Sequence, residues 1–406
     1  MSIDLHNLLT SDMKLDSHTF AGQVIVVTGA GQGIGFQVAR AFALLGGKVV
    51  LAELSKRGAQ AASAIRDEGG EALFVPTDVS DPGSVAHLIE RVSQAYGPVD
   101  VLVNNAIFIS HNSVEDMPVE DWDRTIAVNL RGTFLTSRAV LPEMRKKNRG
   151  LILNMISTDA MPGLSAYLAS KGGITSFSQS LALELDGTGI YVIPFGPGMV
   201  DTPGIRSVAP GLAPQLGLAE AQFLNLSLHA GYDGLMTPEH AGAATAYLSA
   251  RLAEEFNGQV VNGYEVLERA GVLQASEIDL PHTLSFQTET EGSIQAFFEQ
   301  VCVFLDETEA EFAQLPVFAR PLAKAGFKSK AGLSLADWQR LAAAQKTGQV
   351  SNPALIAERL GALATYFREV PKETARFTKD EATLKMVTET AQVRLAVLEK
   401  LISKLS

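Results

Sequence analysis

Short unbroken runs of Val, Ile and Leu recur along the first two-thirds of the chain, and amphipathic stretches separate them. Residues 23–28 (Gln-Val-Ile-Val-Val-Thr) and 48–53 (Lys-Val-Val-Leu-Ala-Glu) are the clearest. Further runs lie near 72–77, 99–104, 150–156 and 190–195, with a last one near Gly258–Asn262. Runs that lack polar alternation predict strands buried on both faces, as in a parallel sheet covered by helices on either side. The expected class is α/β with a doubly wound parallel sheet. Residues 199–237 are rich in Gly, Pro, Leu and Ala and are expected as a long loop-like segment.

The pattern changes after about Val272. Residues 275–291 are polar, contain Pro281 and are expected as a linker. Beyond them the periodicity is helical. Ile294, Phe297, Phe298, Val301 and Leu305 form one stripe. Ser334 is placed to cap a helix bearing Leu335, Trp338 and Leu341, with Asp337 at the capping-box position. Asn352-Pro353 offers a cap and first-turn proline to a helix bearing Ile356, Leu360, Leu363 and Phe367. Leu384, Val387, Ala391, Leu395, Leu398, Ile402 and Leu405 form a near-heptad stripe suited to self-association. The expected organisation is an N-terminal arm (1–17), an α/β domain (18–274), the linker (275–291) and a smaller all-α domain (292–406).

Composition narrows the function classes. A formal net charge of −12 argues against nucleic acid or an anionic membrane as main partner. The one cysteine, Cys302, excludes an intramolecular disulfide and a Cys-based zinc site. The histidines show no metal-ligand spacing, so no metal is expected. No apolar stretch is long enough to span a bilayer, and Met1 to Phe20 carry no apolar signal region, so a cytoplasmic location is expected.

Two motifs carry chemistry. Thr28-Gly29-Ala30-Gly31-Gln32-Gly33-Ile34-Gly35 falls between a strand and a helix. Glycines there permit a tight turn and let backbone approach a pyrophosphate at the helix N-terminus, as in a Rossmann-type fold. Glu53 ends the next strand, where a carboxylate can bind ribose hydroxyls and repel a 2′-phosphate, which favours NAD over NADP. Lys56 and Arg57 follow closely and suit a 2′-phosphate. The second motif is Ser165-Ala166-Tyr167-Leu168-Ala169-Ser170-Lys171, which places a phenol and an ammonium four residues apart on one helix face. The ammonium is expected to favour the phenolate and lower the tyrosine pKa, making Tyr167 a general acid/base.

Together these residues resemble the short-chain dehydrogenase/reductase family over about residues 18–272. The glycine segment matches the family's Thr-Gly-x-x-x-Gly-x-Gly, and Asp78-Val79 its adenine-contacting segment. Asn104-Asn105-Ala106 matches Asn-Asn-Ala-Gly, with Ile107 in place of the glycine. Asn129 matches the active-site asparagine, Tyr167 and Lys171 the catalytic pair, and Pro197, Gly198 and Thr202 the loop over the nicotinamide. Ser157 best matches the catalytic serine, at a short interval before Tyr167, and Thr158 offers an alternative hydroxyl.

The resemblance implies an NAD(P)-dependent oxidoreductase interconverting a secondary alcohol and a ketone. Asn129, Ser157, Tyr167 and Lys171 would be catalytic, with Asn129 holding a proton-relay water. Gly29, Gln32, Gly33, Ile34, Gly35, Glu53, Asp78, Val79, Asn105, Ala106, Tyr167, Lys171, Pro197, Gly198 and Thr202 would hold the cofactor. A homodimer or homotetramer is implied, formed through the helices that carry Asn129 and Tyr167. The alternative is a catalytically weakened dinucleotide-binding sensor or scaffold acting through its helical domain. Met199, Phe223, Leu224, Leu226 and Leu228 suggest a mainly apolar substrate pocket, with His229 and Tyr232 as candidate polar contacts.

Overall fold

The computed structural model describes residues 3–157, 161–229, 231–274, 294–314, 324, 327–328, 330–346, 353–377 and 381–405. The chain divides into two compact units, Met1–Ser276 and Glu277–Ser406. The expected linker 275–291 lies outside the described residues.

The first unit is built on seven parallel strands: β1 (Val24–Thr28), β2 (Lys48–Glu53), β3 (Glu71–Pro76), β4 (Val101–Asn104), β5 (Gly150–Met155), β6 (Ile190–Gly196) and β7 (Val261–Asn262). Their order is β3-β2-β1-β4-β5-β6-β7. All residues of β1, β4 and β5 are buried, because helices cover both faces. That double burial is why the strands read as continuous apolar runs. The strand order reverses between β1 and β4, which opens a crevice at their C-terminal ends.

One face packs against α2 (Gly33–Leu44), α3 (Arg57–Asp67), α10 (Pro238–Tyr247) and α11 (Gly263–Arg269), through residues such as Val38, Phe42, Ile65, Ala243 and Leu267. The other packs against α4 (Pro82–Ala95), α6 (Gly132–Lys147) and α7 (Ser165–Glu184), through Leu88, Val92, Val140, Met144 and Leu181. The first residues do not stand apart as an arm. After the short turn α1 (Leu5–Asn7), Leu5, Leu8, Leu9, Met13 and Leu15 are buried in the α2–α10 face. At the base of the sheet Asp100 accepts from Val24 N at 2.9 Å, Lys147 Nζ at 2.7 Å and Arg149 at 3.0 Å.

The segment 199–237 is not a loop. It holds α8 (Pro203–Gln215) and α9 (Glu220–Leu224). Its Pro and Gly content argues against a helix, yet Thr202 caps α8 by accepting from Ile205 N at 3.2 Å, and Pro203 occupies the first turn, where its missing N–H costs nothing. Burial of Val208, Ala209, Leu212 and Ala213 offsets the interior prolines Pro210 and Pro214.

The second unit contains α12 (Ile294–Gln314), α13 (Leu335–Lys346), α14 (Pro353–Phe377) and α15 (Glu381–Leu405). Ser334 caps α13 as expected, accepting from Asp337 N at 3.1 Å. The cap expected of Asn352 lies outside the described residues. Phe298, Phe304, Trp338, Leu360, Phe367, Leu398 and Leu401 form its core, with Cys302 packed against it. Of the near-heptad stripe, Leu398 and Leu405 lie in that core, Leu395 and Ile402 pack against it, and Ala391 is buried. Arg394 lies at 5% exposure, with Glu307 at 3.1 Å and Glu311 at 2.7 Å. Among the described residues no helix is long and apolar enough to cross a membrane.

Candidate active site

The glycine segment is locked onto the end of β4. Thr28 Oγ1 accepts from Asn105 N and Ala106 N, both at 3.0 Å. Asn105 Nδ2 donates to Thr28 O at 3.0 Å and Gly29 O at 3.1 Å. No side chain fits inside this knot. A methyl group on Gly29 would stand 2.7 Å from Ala106 Cα, and one on Gly35 would stand 2.4 Å from Gly29 O. Gly29 also has φ +63°, which favours glycine.

Helix α2 starts at Gly33, and its N-cap, Gln32, makes no side-chain cap bond. The first-turn N–H groups of Gly33, Ile34 and Gly35 therefore face the crevice end of the sheet without a side-chain partner, which fits an anionic pyrophosphate. Gln32 Oε1 instead accepts from Arg57 at 2.7 Å. Thr202 closes over this turn, and a methyl group on Gly33 would lie 3.3 Å from its Cγ2.

Glu53 lies beside the loop. Its carboxylate accepts from Gly31 N at 3.3 Å, from Ser55 N at 3.0 Å and from Ser55 Oγ at 2.8 Å. Arg57 borders the same spot, so an acid and a cation flank one place. Asp78 is fixed by bonds from Ser80 N (2.9 Å) and Ser80 Oγ (2.7 Å). Val79 is buried and packs where Gly132 begins α6. Pro197 is buried; Gly198 is exposed, has φ +100° and rests against the Tyr264 ring.

Tyr167 and Lys171 occupy the first turns of α7, and the Lys171 amine stands 5.5 Å from the Tyr167 ring centroid. Lys171 is 2% exposed and donates to Met155 O at 2.6 Å. That bond lays α7 against the end of β5, two residues before the half-buried Ser157. Thr158 lies outside the described residues. The spacing predicts a tyrosine pKa lowered by its ammonium neighbour, but here burial dominates. It pushes the Tyr167 phenol up to about 12 and the Lys171 amine down to about 7. An amine near 7 is only partly charged at neutral pH, so its pull on the phenol is correspondingly weak.

Asn129 is fully buried in a π-helical turn, Ile126–Arg131, that follows α5 (Val119–Thr125). Its Oδ1 accepts from Phe108 N at 2.7 Å, and its Nδ2 donates to Phe108 O and Ser170 Oγ, each at 3.0 Å. Ser170 in turn donates to Tyr167 O at 2.6 Å. The side-chain amide is committed to protein partners. Asn129 ties the loop after β4 to α7.

Within the segment 199–237, Phe223, Leu226 and Met199 are buried, while Leu224 and Leu228 are half-buried. His229 stacks on Tyr264 and pairs with Glu268 at 2.8 Å. Tyr232 OH pairs with His240 Nδ1 at 2.7 Å and accepts from Thr237 N at 2.9 Å. Both candidate polar contacts thus have partners within the protein. Sequence reasoning missed His111 and Ser165. His111 lies seven residues past the end of β4, beyond the apolar Ile107-Phe108-Ile109, and Ser165 opens α7 two residues before Tyr167. Their place on strand-end segments was the available signal.

Comparison with known proteins agrees with this architecture. The family model described as short chain dehydrogenase matches residues 23–212. A D-beta-hydroxybutyrate dehydrogenase of Rhizobium meliloti is 36% identical over 250 residues, covering 58% of this chain and 95% of that protein. The 3-oxoacyl-[acyl-carrier-protein] reductase FabG of Escherichia coli is 36% identical over 193 residues, covering 47% of this chain and 78% of that protein. A solved structure of actinorhodin polyketide ketoreductase with NADPH is 30% identical, with a TM-score of 0.55, covering 59% of this chain and 95% of that one. The phosphate-suited helix start, the strand-end crevice and these similarities converge on one conclusion: the chain belongs to the short-chain dehydrogenase/reductase family and is an NAD(P)-dependent oxidoreductase acting on CH–OH groups.

Proposed function

We propose that this protein interconverts a secondary alcohol and a ketone, with Tyr167 as general acid/base. The observation that carries the reading is the pairing of half-buried Tyr167 with buried Lys171 on α7, held to β5 by the bond to Met155. The phenol oxygen takes the proton from the hydroxyl during oxidation and returns it to the carbonyl oxygen during reduction. Ser157 hydrogen-bonds that same substrate oxygen and stabilises charge as it develops. Asn129 positions α7 through Ser170. The names of the relatives support the chemistry: a hydroxybutyrate dehydrogenase, a 3-oxoacyl reductase and a ketoreductase each imply a hydroxyl or keto group.

When bound, a nicotinamide cofactor supplies the hydride acceptor or donor. Gly29, Gln32, Gly33, Ile34 and Gly35 would hold its pyrophosphate, Glu53 its adenosine ribose, and Asp78 and Val79 its adenine. Asn105, Ala106, Lys171, Pro197, Gly198 and Thr202 would border its nicotinamide half. Glu53 favours NAD; Arg57 beside it gives NADP a competing foothold.

A homodimer or homotetramer through α6 and α7 completes the proposal. Phe134 on α6 is 44% exposed and makes an edge contact with Phe177 of α7, while Leu183 is 79% exposed. No observation favours the sensor reading. The departure at Ile107 is 48% exposed, so its side chain is not packed into the protein at the strand ends.

Replacing Tyr167 with phenylalanine tests the central claim. Nicotinamide binding should persist while turnover falls by about 10²–10⁴-fold. Near-full turnover in that variant refutes the assignment.

A further inference from the structure

We propose that His111 determines substrate choice: its Nε2 is the hydrogen-bonding group for a second oxygen on the substrate, away from the carbon that reacts. The inference rests on the crevice above Tyr167 being the reaction site. Three segments that follow strand C-termini meet at this imidazole. His111 belongs to the loop after β4. Gly163 belongs to the segment between β5 and α7, four residues before Tyr167, and Gly211 lies in α8 after β6. A methyl group on Gly163 would stand 2.6 Å from His111 Nε2, and one on Gly211 would stand 3.0 Å from Nδ1. The ring is thus held between two positions that carry no side chain. Asn112 N donates to Gly163 O at 2.9 Å and fixes the loop beside it.

His111 Nε2 is buried and has no hydrogen-bond partner in the protein, and the same is true of Ser165 Oγ, two residues past Gly163. Buried polar atoms in native proteins are nearly always paired, because an unpaired one forfeits its hydration without recompense. A purely space-filling ring between two glycines needs no nitrogen; phenylalanine or leucine would serve. Two unpaired polar atoms on the segments that bracket Tyr167 instead suit a ligand that brings its own oxygen. The substrate class is therefore a hydroxy or keto compound with a further carboxylate, ester or carbonyl oxygen, rather than a bare alcohol. A site built this way rejects the analogue lacking the group, because its polar atoms are then left unpaired.

The test compares matched secondary alcohols that share the reacting carbinol and carbon skeleton, such as 3-hydroxybutyrate and its ethyl ester against butan-2-ol. Wild-type enzyme should show higher kcat/KM for the oxygenated members. His111→Phe should lower kcat/KM for the oxygenated members about 10–100-fold more than for the bare alcohol. His111→Gln, which keeps an amide donor, should recover part of the preference. Gly211→Ala, which crowds the ring but keeps it, should disturb the preference while leaving the melting temperature near wild type. Equal effects of His111→Phe on both members, or no wild-type preference in any pair, would overturn the proposal. Tyr167→Phe, run in parallel, separates the two claims. Undiminished turnover there sinks the acid/base reading, whereas an unselective His111→Phe sinks only this one.

Discussion

Lys171 donates to the main-chain oxygen of Met155 at 2.6 Å, so an amine from α7 is buried against the end of the strand that leads to Ser157. A buried amine is costly, and its cost depends on pH. In the folded chain it titrates near 7, against an ordinary value of 10.5. Between those values the unfolded chain binds more protons, so this group makes stability rise with pH across that window and is most destabilising below it.

Lys171→Met should therefore be more heat-stable than wild type near pH 6–7 while losing most turnover. The difference in melting temperature should narrow as the pH is raised toward 10. Thermal scans from pH 6 to 10 check this; a gap independent of pH would mean the lysine is not destabilised by burial.

Glu53 borders the glycine loop together with Arg57. Glu53→Ala should erode discrimination against NADP by about tenfold, equivalent to about 1.4 kcal/mol. The ratio of kcat/KM for the two cofactors measures it. An unchanged ratio would confine Glu53 to its structural bonds with Gly31 and Ser55.

Asp100 carries the acid limb of stability. Burial raises its pKa, but hydrogen bonds from Lys147, Val24 N and Arg149 outweigh that and leave it lowered. A carboxylate held below its ordinary 3.8 contributes stability that is complete above that value and is lost as pH falls through the lowered one. Asp100→Asn should cost about 2 kcal/mol at pH 7 and flatten the decline of stability in acid. Urea titrations at pH 7 and pH 3 compare the two; an equal loss at both would refute the charge argument.

The seven strands were legible because parallel strands buried on both faces leave no polar alternation to confuse the reading. The glycine segment was legible for a related reason: Gly29 and Gly35 sit where any side chain would collide with Ala106 or Gly29 itself. Helix α8 was not, because Pro210, Pro214 and Gly211 depress local helix propensity and only burial of Leu212 and its neighbours restores it. Spacing placed Lys171 beside Tyr167 but carried no information about burial, and burial sets the direction of both pKa values. Asn129 was found by its motif, yet its bonds to Phe108 and Ser170 depend on a π-helical turn that no periodicity announces. His111 escaped because its meaning comes from Gly163 and Gly211, fifty-two and one hundred residues further along the chain.

The helical unit encloses its own Trp338 and its own ring of phenylalanines, and none of them belongs to the interior around the sheet. A change of side-chain volume in either interior is therefore felt first by that interior's own close-packed neighbours.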